Sequence, residues 1–240
     1  MTGTEAARRL IADGCRVLAN EGLVFGTLGH ISARHGSGML LRARGPADLG
    51  LQFSRAEEVV PATLAGDPLE ESPYRLPVEH PLHGETLRLR PDVNAVVHAH
   101  PPAVVACTIA GLPLLPIAGA FDIPAARMAH DGIPTYRRSV LVRTPEIAQQ
   151  MLDAMRDRPV CLLAGHGLIA VGDSVPQAVA RAIAVDNLAK LTLQIAATGA
   201  PLVPIAEEDY QELPDLGGGL NDDTVWRHLV ARLPTGGVQQ

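Results

Sequence analysis

The sequence predicts an α/β layered fold around a mixed or antiparallel sheet. Two observations carry this. Segments with helical apolar periodicity alternate with short apolar runs of four or five residues, the pattern of strands packed between helices. Hairpin-like stretches interrupt the alternation, which a purely parallel sheet does not require. There is no GxGxxG run, no phosphate-loop signature and no internal repeat, so nucleotide binding has no support.

Taken in order, Thr4 to Ala19 reads as an amphipathic helix with Ala7, Leu10, Ile11, Val17 and Leu18 on its apolar face, ended by Glu21-Gly22. Phe25 to Ser32 is a glycine-spaced turn, and Met39-Leu40-Leu41 a strand. Arg44 to Gly50 is a polar loop, Phe53 to Glu58 a turn, and Ala65 to Pro77, with three prolines, an exposed loop or edge hairpin. His80 to Arg90 has helical character and stops at Pro91. The run ending in His98-Ala99-His100 is a strand, followed by a helix from Pro102 to Ala110. Gly111 to Pro134, rich in Gly and Pro, is expected to wrap over the surface.

Thr144-Pro145-Glu146 is a helix start, with Thr as N-cap and Pro in the first turn, and that helix runs to about Asp157. Val160 to Leu163 and Leu168 to Val171 are strands. Ser174 and Gln177 form a capping box that opens a long helix to about Thr198. We expect one domain over residues 1–240, with a polar tail that is mobile from about residue 203.

Composition narrows the function classes. Hydrophobic residues make up 47% of 240 and aromatics only 3%, so the core must be aliphatic. A net charge of -6 with no Lys/Arg run argues against a nucleic-acid binder. No apolar run approaches a membrane span, and Met1 to Glu5 lack the basic and apolar regions of a signal peptide. Cys15, Cys107 and Cys161 lie in apolar surroundings without CxxC spacing, as buried free thiols of a cytoplasmic protein.

The chemistry concentrates in four residues. Successive strand side chains alternate faces, so His98 and His100 point the same way and can share a divalent ion. His166 lies in Ala164-Gly165-His166-Gly167, where an apolar strand meets glycine, and Glu79 lies between prolines in Pro77-Val78-Glu79-His80-Pro81. Three imidazoles and a carboxylate suit Zn, Mn, Fe or Co and do not choose among them.

The order of these motifs resembles the class II aldolase/adducin family over roughly residues 5 to 200. The matching stretches are Leu28 to Arg34, Glu79-His80-Pro81-Leu82-His83, the Arg90-Pro91-Asp92-Val93 run into His98-Ala99-His100, and Leu163-Ala164-Gly165-His166-Gly167. The resemblance implies an αβα sandwich around a mostly antiparallel sheet, assembled as a tetramer. It implies one divalent ion per subunit on His98, His100 and His166, with Glu79 as fourth ligand or catalytic base.

Departures from the aldolase pattern are informative. Sugar-phosphate aldolases of the family carry Gly-Asn where this chain has Gly29-His30, and a Ser-Ser pair where it has Pro77-Val78. Proline and valine offer no side-chain donor, so the phosphate cradle is largely gone. The tyrosine that some aldolases lend across an interface falls at Gly119. Gly29-His30-Ile31-Ser32 with the Arg44-Gly45-Pro46 loop looks more like a decarboxylase branch. Its implied substrates are 3,4-dihydroxyphthalate, hydroxypyridine dicarboxylates and carboxylated muconic semialdehydes, the first being favoured.

On that reading His30 donates a proton or contacts substrate, with Glu79 as a second catalytic group. Arg34, Arg44, His83 and Tyr210 are candidate substrate contacts, the arginines as carboxylate clamps. The alternatives are an aldolase or dehydratase acting on a sugar-like substrate, and a non-catalytic adducin-like interaction module. The latter is disfavoured because all four ligand positions are filled.

Overall fold

The computed structural model describes residues 3–216 and 219–234. Helix α1 (Gly3–Asn20) leads into an antiparallel hairpin of β1 (His30–His35) and β2 (Gly38–Arg42), then β3 (Val59–Ala62). Helix α2 (His80–Leu89), strand β4 (Ala95–Ala99) and helix α3 (Pro102–Ala110) follow. Next come α4 (Ile123–Ala129), β5 (Thr135–Tyr136), α5 (Pro145–Met155), β6 (Val160–Leu163) and β7 (Gly167–Gly172). Helices α6 (Val175–Ala197), α7 (Glu207–Glu212) and α8 (Gly219–Ala231) complete the order.

The seven strands form one sheet in the order β3-β2-β1-β4-β7-β6-β5. Every pairing is antiparallel except β5 with β6. Alternation along the strands divides the core in two. Ile31, Leu40, Val97 and Leu168 face α1, α3, α4, α6 and α8. Met39, Leu41, Val96 and Ile169 face α2 and α5. The architecture is the α/β/α sandwich that the family resemblance implied, and its core is aliphatic as the composition required.

Several elements were not legible as such. His30 to Ser32 is the start of β1 and not part of the preceding turn, because Ser32 pairs with both Leu41 and Val96 inside the sheet. Strand β3 contains Pro61, which normally argues against a strand. It lies at the sheet edge, where a missing N–H does least harm. The Gly/Pro-rich stretch after α3 does not simply wrap the surface. The Asp122 carboxylate accepts from the Ala125 N–H and opens α4, whose Ala125, Ala126 and Ala129 are buried.

Ser174 caps α6 as expected, but Gln177 reaches back to the Asp173 N–H at 2.9 Å, one residue earlier than a capping box requires. The C-terminal stretch carries α7 and α8, and Leu229 of α8 is buried against the α6 side of the core. The last residues of the expected mobile tail, 235–240, lie outside the described residues. No helix among the described residues is long and apolar enough to cross a membrane.

Candidate metal centre and the cavity beside it

His98 sits on the central strand β4, directly opposite Ile169 of β7 and His30 of β1. It belongs to the face covered by α2 and α5. Its Nδ1 donates to the Leu168 carbonyl at 2.9 Å, which fixes the tautomer and leaves Nε2 as the free lone pair. His100 follows the strand end, and its ring lies 4.6 Å from that of His98, centre to centre. His166 approaches both, at 4.9 and 4.8 Å.

The turn that delivers His166 depends on its two glycines. Gly165 has a φ of +61°, which L side chains rarely adopt. At Gly167 an added Cβ would stand 2.2 Å from the Ala99 carbonyl oxygen, so the close approach of β7 to the end of β4 requires a hydrogen there.

Glu79 is the residue before α2, and its placement is directional. Oε1 accepts from the Val142 N–H at 2.7 Å, leaving Oε2 turned towards the imidazoles. Oε2 lies 3.4 Å from His98 Nε2 and 3.6 Å from His166 Nε2. Burial alone raises this carboxyl, but the adjoining His166 and His98 outweigh it and hold Glu79 well below the usual carboxylate range.

One ligand atom from each of Glu79, His98, His100 and His166 lies within 4.8 Å of the others, the one such group among the described residues. The donor set fits a divalent cation. His98 Nε2 and both nitrogens of His166 are buried without a hydrogen-bond partner, which native structures rarely tolerate. Two ligands bound tetrahedrally at about 2.0–2.1 Å stand roughly 3.3–3.5 Å apart, close to the separations between Glu79 Oε2 and the imidazoles.

A second buried chain runs beside the cluster. Ser32 Oγ lies 2.7 Å from His83 Nδ1, and His83 Nε2 lies 2.7 Å from His30 Nδ1. Sheet alternation puts His30 and Ser32 on one face, and α2 lays His83 across them. Burial, reinforced by His83, His98 and His100, keeps the His30 imidazole well below its usual pKa. Burial also pulls His83 down to about 3. Both rings are therefore neutral near pH 7. Ser32 escaped notice in the sequence, because its role exists only through the β1 register.

His30, Glu79 and His100 open onto a cavity of about 520 Å³. Pro77, Val78 and Leu141 contribute apolar wall, and Arg44 and Arg75 line the same space. Arg44, a candidate substrate contact from the sequence, is thus part of the cavity wall. Arg75 was not singled out in the sequence, where it stands in a proline-rich loop without context.

Arg34 does not line this cavity. Its guanidinium donates to the Leu87, Arg90 and Val93 carbonyls and holds the end of α2. Tyr210 also lies outside the lining, stacked on His130 with ring centres 3.7 Å apart and Arg127 over its face. His80 turns away from the cluster and packs against Gly66.

The class II aldolase and adducin N-terminal domain matches residues 9–193, most of the chain. The chain belongs to the class II aldolase/adducin family. Among relatives within it, the chain is 53% identical to a 3,4-dihydroxyphthalate decarboxylase of Arthrobacter keyseri, over 95% of this chain and 94% of that one. It is 49% identical to a 3,4-dihydroxyphthalate decarboxylase of a Terrabacter species, over 96% and 98%. In fold it is similar to an aldolase II superfamily protein from Pseudomonas syringae, with a TM-score of 0.80 at 21% identity, covering 97% of this chain and 94% of that one. The class II aldolase fold therefore holds from the sheet outward.

Proposed function

We propose that this protein is a metal-dependent decarboxylase of a hydroxylated aromatic (or ring-cleavage) carboxylic acid, with 3,4-dihydroxyphthalate as substrate. The observation that carries the reading is the Glu79–His98–His100–His166 cluster opening onto an apolar-walled cavity that also bears arginine. Identity of 53% and 49% to two enzymes of that name, over nearly the whole chain, supports the substrate. The wall presents Pro77 and Val78 where a sugar phosphate would need hydroxyls.

In this reading His98, His100, His166 and Glu79 hold one divalent ion per subunit (Zn, Mn, Fe or Co). Bound there, the ion supplies a Lewis acid beside a ring hydroxyl or keto oxygen and a sink for electron density. Decarboxylation breaks the ring–carboxylate bond, leaves its electron pair on carbon, releases CO2 and requires one proton at that carbon.

His30 supplies that proton. Being neutral at rest, it first accepts a proton from the substrate hydroxyl at Nε2 and then returns it to carbon. The Ser32–His83–His30 chain holds the ring at Nδ1 and can be read in either direction, so both tautomers of His30 are accommodated. Glu79 stays ionised, either bound to the ion or beside it. Apolar wall at Val78 and Leu141 keeps water from the reacting carbon, and Arg44 contacts substrate carboxylate.

The same reading places the enzyme in the cytoplasm as a homo-oligomer, a tetramer by family pattern. Three buried free thiols support the compartment. Exposed Phe25 and Phe53 support association.

The test is CO2 release by metal-loaded protein from 3,4-dihydroxyphthalate, beside a hydroxypyridine dicarboxylate and a sugar phosphate. Chelator-sensitive release from the first is expected. Cleavage of the sugar phosphate instead would replace this reading with an aldolase.

A further inference from the structure

The backbones of Arg44 and Arg75 form an isolated antiparallel bridge, each N–H donating to the other's carbonyl at 2.8 Å. Residues paired in this way project their side chains to the same side of the ladder. Both residues line the cavity that holds Glu79 and His100, and Arg75 is exposed there. Like charges directly opposite one another are unfavourable unless something neutralises them.

Arg44 is partly accounted for. Its guanidinium donates to the Thr27 carbonyl at 2.8 Å and lies 3.7 Å from Asp48. Asp48 is itself anchored, pairing with the buried Arg42 and accepting from the Gly50 N–H. The loop carrying Arg44 is therefore braced from below. Arg75 has no such support. Among the described residues its guanidinium has no hydrogen-bond or ion-pair partner, although it borders a site built for small molecules.

We propose that Arg75, paired with Arg44, is a specificity-determining residue that receives the carboxylate the substrate keeps. This rests on the decarboxylase reading. 3,4-Dihydroxyphthalate carries two carboxylates, of which the one beside the ion-held oxygen leaves. The other stays on the ring and needs a cation on the far side of the apolar wall. A guanidinium offers two parallel N–H donors to a carboxylate, and a pair of them confers charge as well as orientation.

Two probes separate this from metal binding. Catechol keeps the two ring oxygens but has no carboxylate, and 3,4-dihydroxybenzoate has both. Calorimetric titration of each into the metal-loaded protein and its Arg75→Gln variant is the experiment. We expect wild-type protein to prefer 3,4-dihydroxybenzoate. Arg75→Gln should weaken it at least ten-fold while catechol binding is unchanged, and should raise KM for 3,4-dihydroxyphthalate more than it lowers kcat. Arg75→Lys should recover part of the loss, because a point charge replaces the fork.

Equal loss for both probes, or no loss for either, overturns the proposal, as does a wild type indifferent to the carboxylate. CO2 release is scored separately. A wild type with carboxylate-dependent binding but no CO2 release removes the decarboxylase reading and leaves the carboxylate receiver standing.

Discussion

His30 and His98 face each other directly across the β1–β4 ladder, their ring centres 5.0 Å apart. One is tied through Nδ1 to His83, the other through Nδ1 to the Leu168 carbonyl. A single register therefore sets the two imidazoles side by side, and the roles proposed for them, proton transfer for His30 and metal binding for His98, separate by mutation. His98→Ala should abolish both bound metal and CO2 release. His30→Gln should leave metal content intact and lower kcat by about 10²–10⁴-fold, the range for a lost general acid–base group. Elemental analysis beside steady-state kinetics decides. Loss of metal in the His30 variant would count against the division.

Ser32 reaches His30 only through His83. Ser32→Ala removes one hydrogen bond from a fully buried imidazole, at a stability cost of about 1–3 kcal/mol. Its kcat should fall about ten-fold, well short of His30→Gln, with KM unchanged, since the His30 ring keeps its place while the chain that supports it loses its last partner. Urea unfolding and kinetics on the same preparation test this. A rise in KM alongside the fall in kcat would point to a direct substrate contact.

How much of this was legible in the sequence follows from which residues depend on distant parts of the chain. His98 and His100 announce themselves by strand alternation, and His166 by its flanking glycines. The Ser32–His83–His30 chain depends on the β1 register and on how α2 crosses it, neither of which a local pattern encodes. Arg34 and Arg75 exchange places for the same reason. Arg34 lies in a well-matched motif but holds the end of α2, whereas Arg75 sits among prolines and reaches the cavity through one bridge to Arg44. Helix α4 was hidden by the glycines and prolines that flank it and by Pro124 in its first turn, and its cap at Asp122 emerges only in the structure.

Metal removal should lower stability by an amount that grows with the logarithm of metal concentration over Kd. The orphaned His98 and His166 nitrogens have no partner without an ion, and a ligand at 100 times its Kd stabilises the fold by about 2.7 kcal/mol. Calorimetric scans before and after chelation should show a Tm lowered by several degrees and restored by re-addition of metal. An unchanged Tm in protein shown to bind metal would mean that the unfolded chain binds the ion as tightly as the folded one.

The metal-free protein should weaken as pH falls. His30 is held well below its usual range, and His83 and His100 are lowered to about 3, chiefly by burial and then by neighbouring imidazoles. Unfolded chains take up these protons near pH 6.5 while the folded state refuses them, so stability is full above that pH and declines from 6.5 towards 3. The slope is up to about 1.4 kcal/mol per pH unit for each fully buried imidazole. Denaturant midpoints at pH 7.5 and 5.5 measure it. A midpoint that rises on acidification would contradict the buried, neutral assignment.

The two glycines around His166 should differ in what they protect. At Gly165 an added Cβ meets the flexible Ser139 hydroxyl at 2.9 Å and must sit at the left-handed φ the turn already holds, so Gly165→Ala should cost about 1 kcal/mol. At Gly167 the obstacle is backbone, the Ala99 carbonyl oxygen at 2.2 Å, which cannot rotate aside. Relief requires β7 to move from the end of β4, carrying His166 away from His98 and His100. Gly167→Ala should therefore cost about 1–3 kcal/mol or more as an overpacking defect. It should also weaken metal affinity by a larger factor than Gly165→Ala. Urea midpoints with a competitive metal titration separate the two effects. Equal metal affinity in both variants would show that the cluster tolerates movement of β7.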